Sequence, residues 1–144
     1  MPLSIRSIVK TQKHRLDVQE LFYADTDFKK PLNTQARPYR TFGRCYEVCQ
    51  WSPSSYNAQP TRGVVVTENM RIERVDFCAA THSRYYAMVA LGIWLANWEC
   101  GCDALGKIGR FEQLSPEARG GGPFPDLPRY VISWVPEEDL QGSA

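Results

Sequence analysis

The spacing of apolar side chains changes from segment to segment along this chain, and each spacing predicts an element. Over residues 2–28, Ile5, Ile8, Val9, Leu16, Leu21 and Phe22 recur at roughly helical intervals, which predicts one or two short helices. Lys29, Lys30 and Pro31 interrupt that pattern. Proline lacks an amide donor and pushes the preceding residue towards extended backbone, so residues 29–33 read as a turn or linker. From Tyr39 onward, Phe42, Tyr46, Val48 and Cys49 share one stripe ending before Pro53, the signature of a helix of about three turns. Residues 63–67 form a β-branched run suited to a strand buried on both faces. Residues 74–80 read as a second strand, although Cys78, Ala79 and Ala80 equally suit the start of the next helix.

Residues 85–99 are the most apolar segment, with Met88, Leu91, Ile93, Leu95 and Trp98 spread around the helical circumference. Such a helix needs cover nearly all round, more than a chain of 144 residues readily supplies, so a second subunit is expected to cover part of it. Gly101 is expected to end this helix. The Gly120–Gly122 run with Pro123, Pro125 and Pro128 marks a flexible surface loop. Residues 129–135 alternate and are rich in β-branched and aromatic side chains, which predicts a strand before an acidic tail. The sum is a small α+β domain spanning residues 1–144, its sheet dominated by antiparallel pairing and packed on the helix over residues 85–99.

Charge and cysteine content narrow the possible partners. Seventeen basic and sixteen acidic residues nearly cancel, so no long-range field attracts nucleic acid or an anionic membrane. The longest apolar run, residues 87–96, is half of the roughly 20 residues that cross a bilayer, and Arg6 and Lys10 have no apolar signal core behind them. A cytoplasmic protein with reduced thiols is expected, because five cysteines at irregular spacing make a poor disulfide framework.

Residues 52–62 crowd hydroxyls, carboxamides and two prolines between a helix and a strand, which predicts a rigid loop rich in donors. Such a loop can satisfy a phosphate and the polar edge of a heterocycle without net charge. It can equally be an ordinary turn. A zinc site from Cys78 and His82 on one helical face, completed by Cys100 and Cys102 or by Cys45 and Cys49, has poor spacing, so no metal is expected. Free core thiols describe Cys49, Cys78 and Cys100 better. Ser54 and Ser55 lack a nucleophile elbow, and only His14 and His82 could serve as bases, so hydrolysis is not expected.

The run Trp51-Ser52-Pro53-Ser54-Ser55-Tyr56-Asn57-Ala58-Gln59-Pro60, followed by Val64-Val65-Val66-Thr67, resembles the flavin-contacting loop and next strand of the FMN-dependent, oxygen-insensitive nitroreductases. Residues 89–111 resemble that family's long central helix and following loop. Lys13-His14-Arg15 stands where the family carries a basic flavin-phosphate motif. The resemblance implies an α+β three-layer sandwich with a long buried central helix, assembled as an intertwined homodimer. Two FMN sites would lie in the dimer interface, each built from both subunits. Pro53, Ser54, Ser55 and Asn57 would line the isoalloxazine ring, Lys13 and His14 would reach the phosphate or ribityl chain, and Gln59 would brace the loop. The implied activity is ping-pong electron transfer from NADH or NADPH through FMN to a small aromatic acceptor, nitroaromatic or quinone-like, with no catalytic side chain.

Departures from the family pattern shape the remaining expectations. The family's insertion between strand and central helix is shortened to about residues 68–84, which predicts a more open pocket. Lys107-Ile108-Gly109-Arg110-Phe111 replaces a Pro-Ile-Glu-Gly-Phe-like loop, leaving the Gly109 amide as the donor near the flavin, with Lys107 or Arg110 as possible sources of positive field. No basic C-terminal counterpart of the family's phosphate contact follows Asp139. A relative that dimerises or binds a ligand without turnover is the alternative these departures suggest.

Overall fold

A computed structural model of the protein describes residues 15–137. The helical positions expected at Ile5, Ile8 and Val9, and the basic residues Lys13 and His14, lie outside the described residues. The chain forms α1 (Val18–Leu21), β1 (Phe22–Tyr23), a 3-10 turn (Tyr39–Phe42), α2 (Gly43–Gln50), a second 3-10 turn (Ser55–Asn57), β2 (Thr61–Glu68) and β3 (Arg71–Ala79). These are followed by α3 (Tyr86–Leu105), β4 (Gly109–Glu112) and β5 (Arg129–Pro136). The five strands make one sheet in the order β1-β2-β3-β5-β4. Only β1 and β2 run parallel; the other three pairings are antiparallel, as the α+β reading expects.

The β2–β3 hairpin organises that sheet. Glu68 pairs with Arg71, so Asn69 and Met70 alone make the turn, and both adopt positive φ (51° and 62°). Such a two-residue turn matches the twist of its flanking strands. Val66 then pairs with Arg74 and Thr67 with Ile72, leaving Glu73 as an extra residue in a bulge. Beyond the bulge β3 sends Val75 and Phe77 into the core and Arg74, Asp76 and Cys78 to the opposite face. The reading of Cys78, Ala79 and Ala80 as a helix start is therefore not met: Cys78 and Ala79 belong to β3.

The core lies between one sheet face and α2 and α3, centred on Trp98. Its indole stacks on Phe42 (centroids 5.7 Å, planes 6° apart) and meets Phe77 at 5.5 Å and Trp134 at 5.7 Å edge to face. Phe22 and Tyr46 complete the shell at 6.3 and 5.9 Å. Trp98 thus joins β1, β3, β5, α2 and the first 3-10 turn to α3. Its Nε1 is buried without a hydrogen-bond partner among the described residues.

The long helix departs from expectation at both its end and its surface. It runs through Gly101 and stops at Gly106 (φ +69°), where the Gly106 and Lys107 amides donate to Asp103 and Cys102 carbonyls, a Schellman closure. Gly101 is needed for packing instead: a Cβ there would lie 2.9 Å from Cys45 Cα, so any side chain would force α2 and α3 apart. All-round burial is not met within one chain, since Tyr86, Val89, Gly92 and Ala96 face solvent. Cys100 is likewise exposed, whereas Cys49 and Cys78 are buried as expected. No described helix is long and apolar enough to cross a membrane.

Two features were not anticipated. Residues 109–112 form an edge strand rather than a loop. The sheet face opposite the helices is covered, among the described residues, by loop segments that include Arg119, Phe124 and Pro125, not by a further helical layer. On that face Asp76 is buried, receiving Arg74 Nε at 3.0 Å and Ser133 Oγ at 2.6 Å.

Trp98→Ala should lose about 3–5 kcal/mol of stability through the cavity it opens, measured by urea unfolding. Trp98→Phe should cost clearly less, because it keeps a ring in the cluster and removes the unpaired N–H. Equal losses in the two variants would show that the stacked ring is not what holds the core together.

Candidate functional site

Residues 52–60 connect α2 to β2 and are tied down at both ends. The buried Ser52 accepts from Asn97 Nδ2 of α3 at 2.6 Å, donates to the Val48 carbonyl at 3.3 Å, and its own carbonyl accepts from Arg15 Nη1 at 2.6 Å. At the other end the Pro60 carbonyl accepts from the Ala80 amide at 2.7 Å. Between these anchors Tyr56, Asn57 and Gln59 adopt positive φ (55°, 53° and 49°), backbone that tyrosine and glutamine rarely take.

Gln59 holds that conformation. Its amide donates to Ser54 Oγ at 2.9 Å, its Nε2 to the Asn57 carbonyl at 3.2 Å, and its Oε1 accepts from the Leu16 amide at 2.8 Å. The bracing role that the resemblance implied for Gln59 is what these bonds perform. Gln50 Nε2 adds a bond to the Leu16 carbonyl at 3.2 Å, so the segment just after Lys13 and His14 is pinned against the loop. Asn57 Oδ1 is buried and has no hydrogen-bond partner among the described residues. Pro53 and Ser55 are exposed, and Tyr56 is 99% exposed beside a half-open Trp51.

Gly109 stands elsewhere. It pairs with Pro136 in β4, while Thr61, which leaves the loop, sits at the other end of the sheet with Ala79 and Arg129. The length of β5 separates these ends by about 23 Å at the usual rise per residue. The Glu137 amide donates to the Ile108 carbonyl, which makes Gly109–Pro136 a pair without mutual hydrogen bonds and turns the Gly109 amide towards the open edge of the sheet. A Cβ on Gly109 would overlap the Trp134 indole, so the site tolerates only glycine. The neighbouring cations are engaged: Lys107 Nζ lies 5.6 Å from the Phe42 ring centroid, and Arg110 pairs with Glu112 at 3.2 Å.

The other candidate groups do not assemble. Cys78 is in β3, whereas His82 is exposed beyond it and pairs with Asp126 at 3.2 Å, so the two share no helical face. Burial pushes the Cys78 thiol up to about 12, with Asp76 adding to the shift, and raises Cys49 well above its ordinary value. Cys102 is raised chiefly by its contact with Cys45, sulfur to sulfur 3.8 Å, and then by burial. Asn97 is a loop anchor that the sequence pattern did not mark, while Arg15 of the basic Lys13-His14-Arg15 stretch anchors the loop through the Ser52 carbonyl. Asn97 carries the one carboxamide in the apolar stretch of residues 85–98, a signal that could have exposed it.

No protein-family sequence model matches the chain, and no curated protein sequence matches it. The fold does match solved structures of a nitroreductase, CinD from Lactococcus lactis. Its complexes with 4-nitrophenol and with nicotinic acid each superpose with a TM-score of 0.59 at 11% identity. Its chloramphenicol complex gives 0.56 at 12% identity; in all three, 90% of this chain and 87% of the other are covered. The chain therefore has a nitroreductase-like fold.

Gln59→Ala should destabilise the protein by about 1–3 kcal/mol, because it strands the Leu16 amide and the Asn57 carbonyl together. Denaturant unfolding measures this. A loss no larger than that of Ser55→Ala would mean that Gln59 does not hold the loop.

Proposed function

We propose that the chain is a flavin-dependent oxidoreductase that works as a homodimer, taking electrons from NADH or NADPH through FMN to a nitroaromatic or quinone-like acceptor. The observation that carries this reading is the loop over residues 52–60 on a nitroreductase-like fold. Its backbone is braced from within, while the buried acceptor Asn57 Oδ1 has no hydrogen-bond partner among the described residues. A buried acceptor without a partner costs about 1–3 kcal/mol, and an imide N–H such as that on a flavin edge would remove that cost. The loop thus fits an uncharged polar heterocycle.

FMN, when bound, supplies the two-electron relay between donor and acceptor. The chain's own contribution is position and polarity. Ser54 is committed to the Gln59 amide, so it shapes the loop, while Pro53, Ser55 and Asn57 form the surface offered to the ring. The Gly109 amide, facing the open edge of the sheet, is a fixed dipole able to favour negative charge without a titrating side chain. Lys13 and His14 directly precede Arg15, which is fastened to the Ser52 carbonyl, and they are the proposed phosphate or ribityl contacts. The family insertion, shortened to about residues 68–84 and here occupied mostly by β3, would leave the mouth of such a site open to small aromatic acceptors.

The loop and Gly109 occupy opposite ends of the sheet in one chain, farther apart than a flavin ring is long. One flavin meets both only when they come from different protomers. The exposed stripe of Tyr86, Val89, Gly92 and Ala96 on α3, with Trp51 and Tyr56 also open, supports such an assembly. An obligate interface would bury on the order of 2,000 Å² or more. Sedimentation velocity at micromolar concentration should give a dimer, and a stable monomer would contradict the shared site.

Purified protein mixed with FMN should retain a yellow chromophore through gel filtration. Asn57→Ala should weaken its binding by about 1–3 kcal/mol while Ser115→Ala leaves it unchanged. In stopped flow, NADH or NADPH should bleach the bound flavin, and a quinone should restore its colour. Flavin that binds but does not bleach would support the alternative of a ligand-binding relative without turnover. Absence of binding would remove both the flavin and the oxidoreductase reading.

A further inference from the structure

Four of the five cysteines are buried, and two of them meet. Cys45 of α2 and Cys102 of α3 are 57 positions apart in sequence, yet their sulfurs are in contact at 3.8 Å. Backbone packing sets that contact. A Cβ on Gly101 would lie 2.9 Å from Cys45 Cα, so α2 and α3 approach backbone to backbone one residue before Cys102. The other two buried thiols are engaged or remote. Cys49 is turned to the Trp94 carbonyl at 3.6 Å, and Cys78 is on β3, on the sheet face away from the helices.

Cys45 and Cys102 differ in access. Cys45 is fully enclosed, whereas Cys102 borders a cavity of about 90 Å³ that Glu99, Asp103 and Lys107 also line. That volume holds a few waters or one molecule of similar size. The Cys102 thiol is pushed up first by its contact with Cys45 and then by burial, with the negative charges of Asp103 and Glu99 adding to the shift. A thiol kept protonated is a poor nucleophile, so the pair stays reduced towards mild oxidants.

We propose that Cys45 and Cys102 form a reversible redox pair, which a small hydroperoxide entering beside Cys102 converts into a disulfide that staples α2 to α3. The Cys102 thiolate attacks one peroxide oxygen and the O–O bond breaks, leaving a sulfenic acid and a hydroxide that takes up the Cys102 proton. The Cys45 sulfur then attacks the Cys102 sulfur. The S–S bond forms as the S–O bond breaks, and the hydroxyl leaves as water with the Cys45 proton. Two thiols are oxidised by two electrons and the peroxide is reduced to two waters. A disulfide draws its sulfurs to about 2.05 Å, a closure that side-chain rotation supplies where two backbones are already adjacent. The closed loop is long enough to restrain the unfolded chain strongly. The pair is independent of the flavin proposal, because it uses neither the loop over residues 52–60 nor a bound cofactor.

Hydrogen peroxide is the probe, added without FMN to folded Cys100→Ser protein, in which the exposed thiol is gone. A buffer of about pH 8.5 ionises more of the Cys102 thiol than neutral buffer does. Tandem mass spectrometry of the tryptic digest should find residues 45–62 joined to residues 85–107 through Cys45 and Cys102, with the loss of two hydrogens. Dithiothreitol should release the link. The linked protein should melt about 5–15 °C higher than the reduced protein, and dithiothreitol should reverse that rise. Cys49→Ser should keep the link, whereas Cys45→Ser and Cys102→Ser should each lose it. The Cys100→Ser measurement does not depend on how well those core variants fold. Absence of the link in peroxide-treated folded protein, a Cys102 sulfinic acid in its place, or fragments that put the link on Cys49 would each overturn the proposal. An unchanged melting temperature in fully linked protein would overturn the staple.

Discussion

The burial of Trp98 is the constraint on which the rest of this molecule depends. Its ring packs at once against side chains from β1, β3, β5, α2 and the 3-10 turn before α2. Leaving its indole N–H unpaired costs about 1–3 kcal/mol. Five aromatic neighbours at about 0.5–1.5 kcal/mol each, beyond the burial of the ring itself, outweigh that cost. Once Trp98 is seated, the register of α3 on the sheet follows. Asn97, one residue earlier, is then directed at Ser52, and Gly101, one turn later, lies against Cys45.

That register positions the loop over residues 52–60. Its start is tied to α3 through Asn97 and its end to the end of β3 through Ala80, so the intervening residues must turn sharply within a fixed span. Three non-glycine residues at positive φ accomplish this, at about 1–3 kcal/mol each. The bonds of Gln59 and the Arg15 contact offset part of that strain. A strained loop held from several directions is suited to presenting fixed polar groups, which is why the proposed chemistry rests on this segment and not on a titrating side chain.

The two faces of the sheet divide the remaining labour. One is packed with aromatic rings, and its few polar groups include the Tyr46 hydroxyl, which donates to the Tyr39 carbonyl, and the Cys45 and Cys102 thiols in contact with each other. The other carries the Arg74–Asp76 ion pair, Ser133 and Tyr130 under a proline-rich cover. A buried ion pair contributes little net stability, because desolvation cancels most of its attraction. Its structural effect is to fasten the covering loop, whose Arg119 carbonyl accepts from Arg74 Nη2.

The division between sequence and tertiary structure follows from the range of the interactions involved. Local periodicity was enough for β2, β3, β5 and α3, and the turn residues in 52–60 marked the loop, because these signals act over a few positions. Strand β1 and strand β4 are short, and each exists only because a distant partner supplies its hydrogen bonds, so neither had a readable period. Glycine usually breaks helices, yet Gly101 lies inside α3 and is the contact point that lets α2 approach. The composition of the loop indicated polar ligand chemistry. That Asn57 Oδ1 is buried without a partner among the described residues, that Gly109 faces the far edge of the sheet, and that Arg119 lies between the Tyr130 and Phe124 rings were decided by packing. Each depends on which residues, dozens of positions apart, are brought within hydrogen-bonding or van der Waals distance, and no local pattern records that.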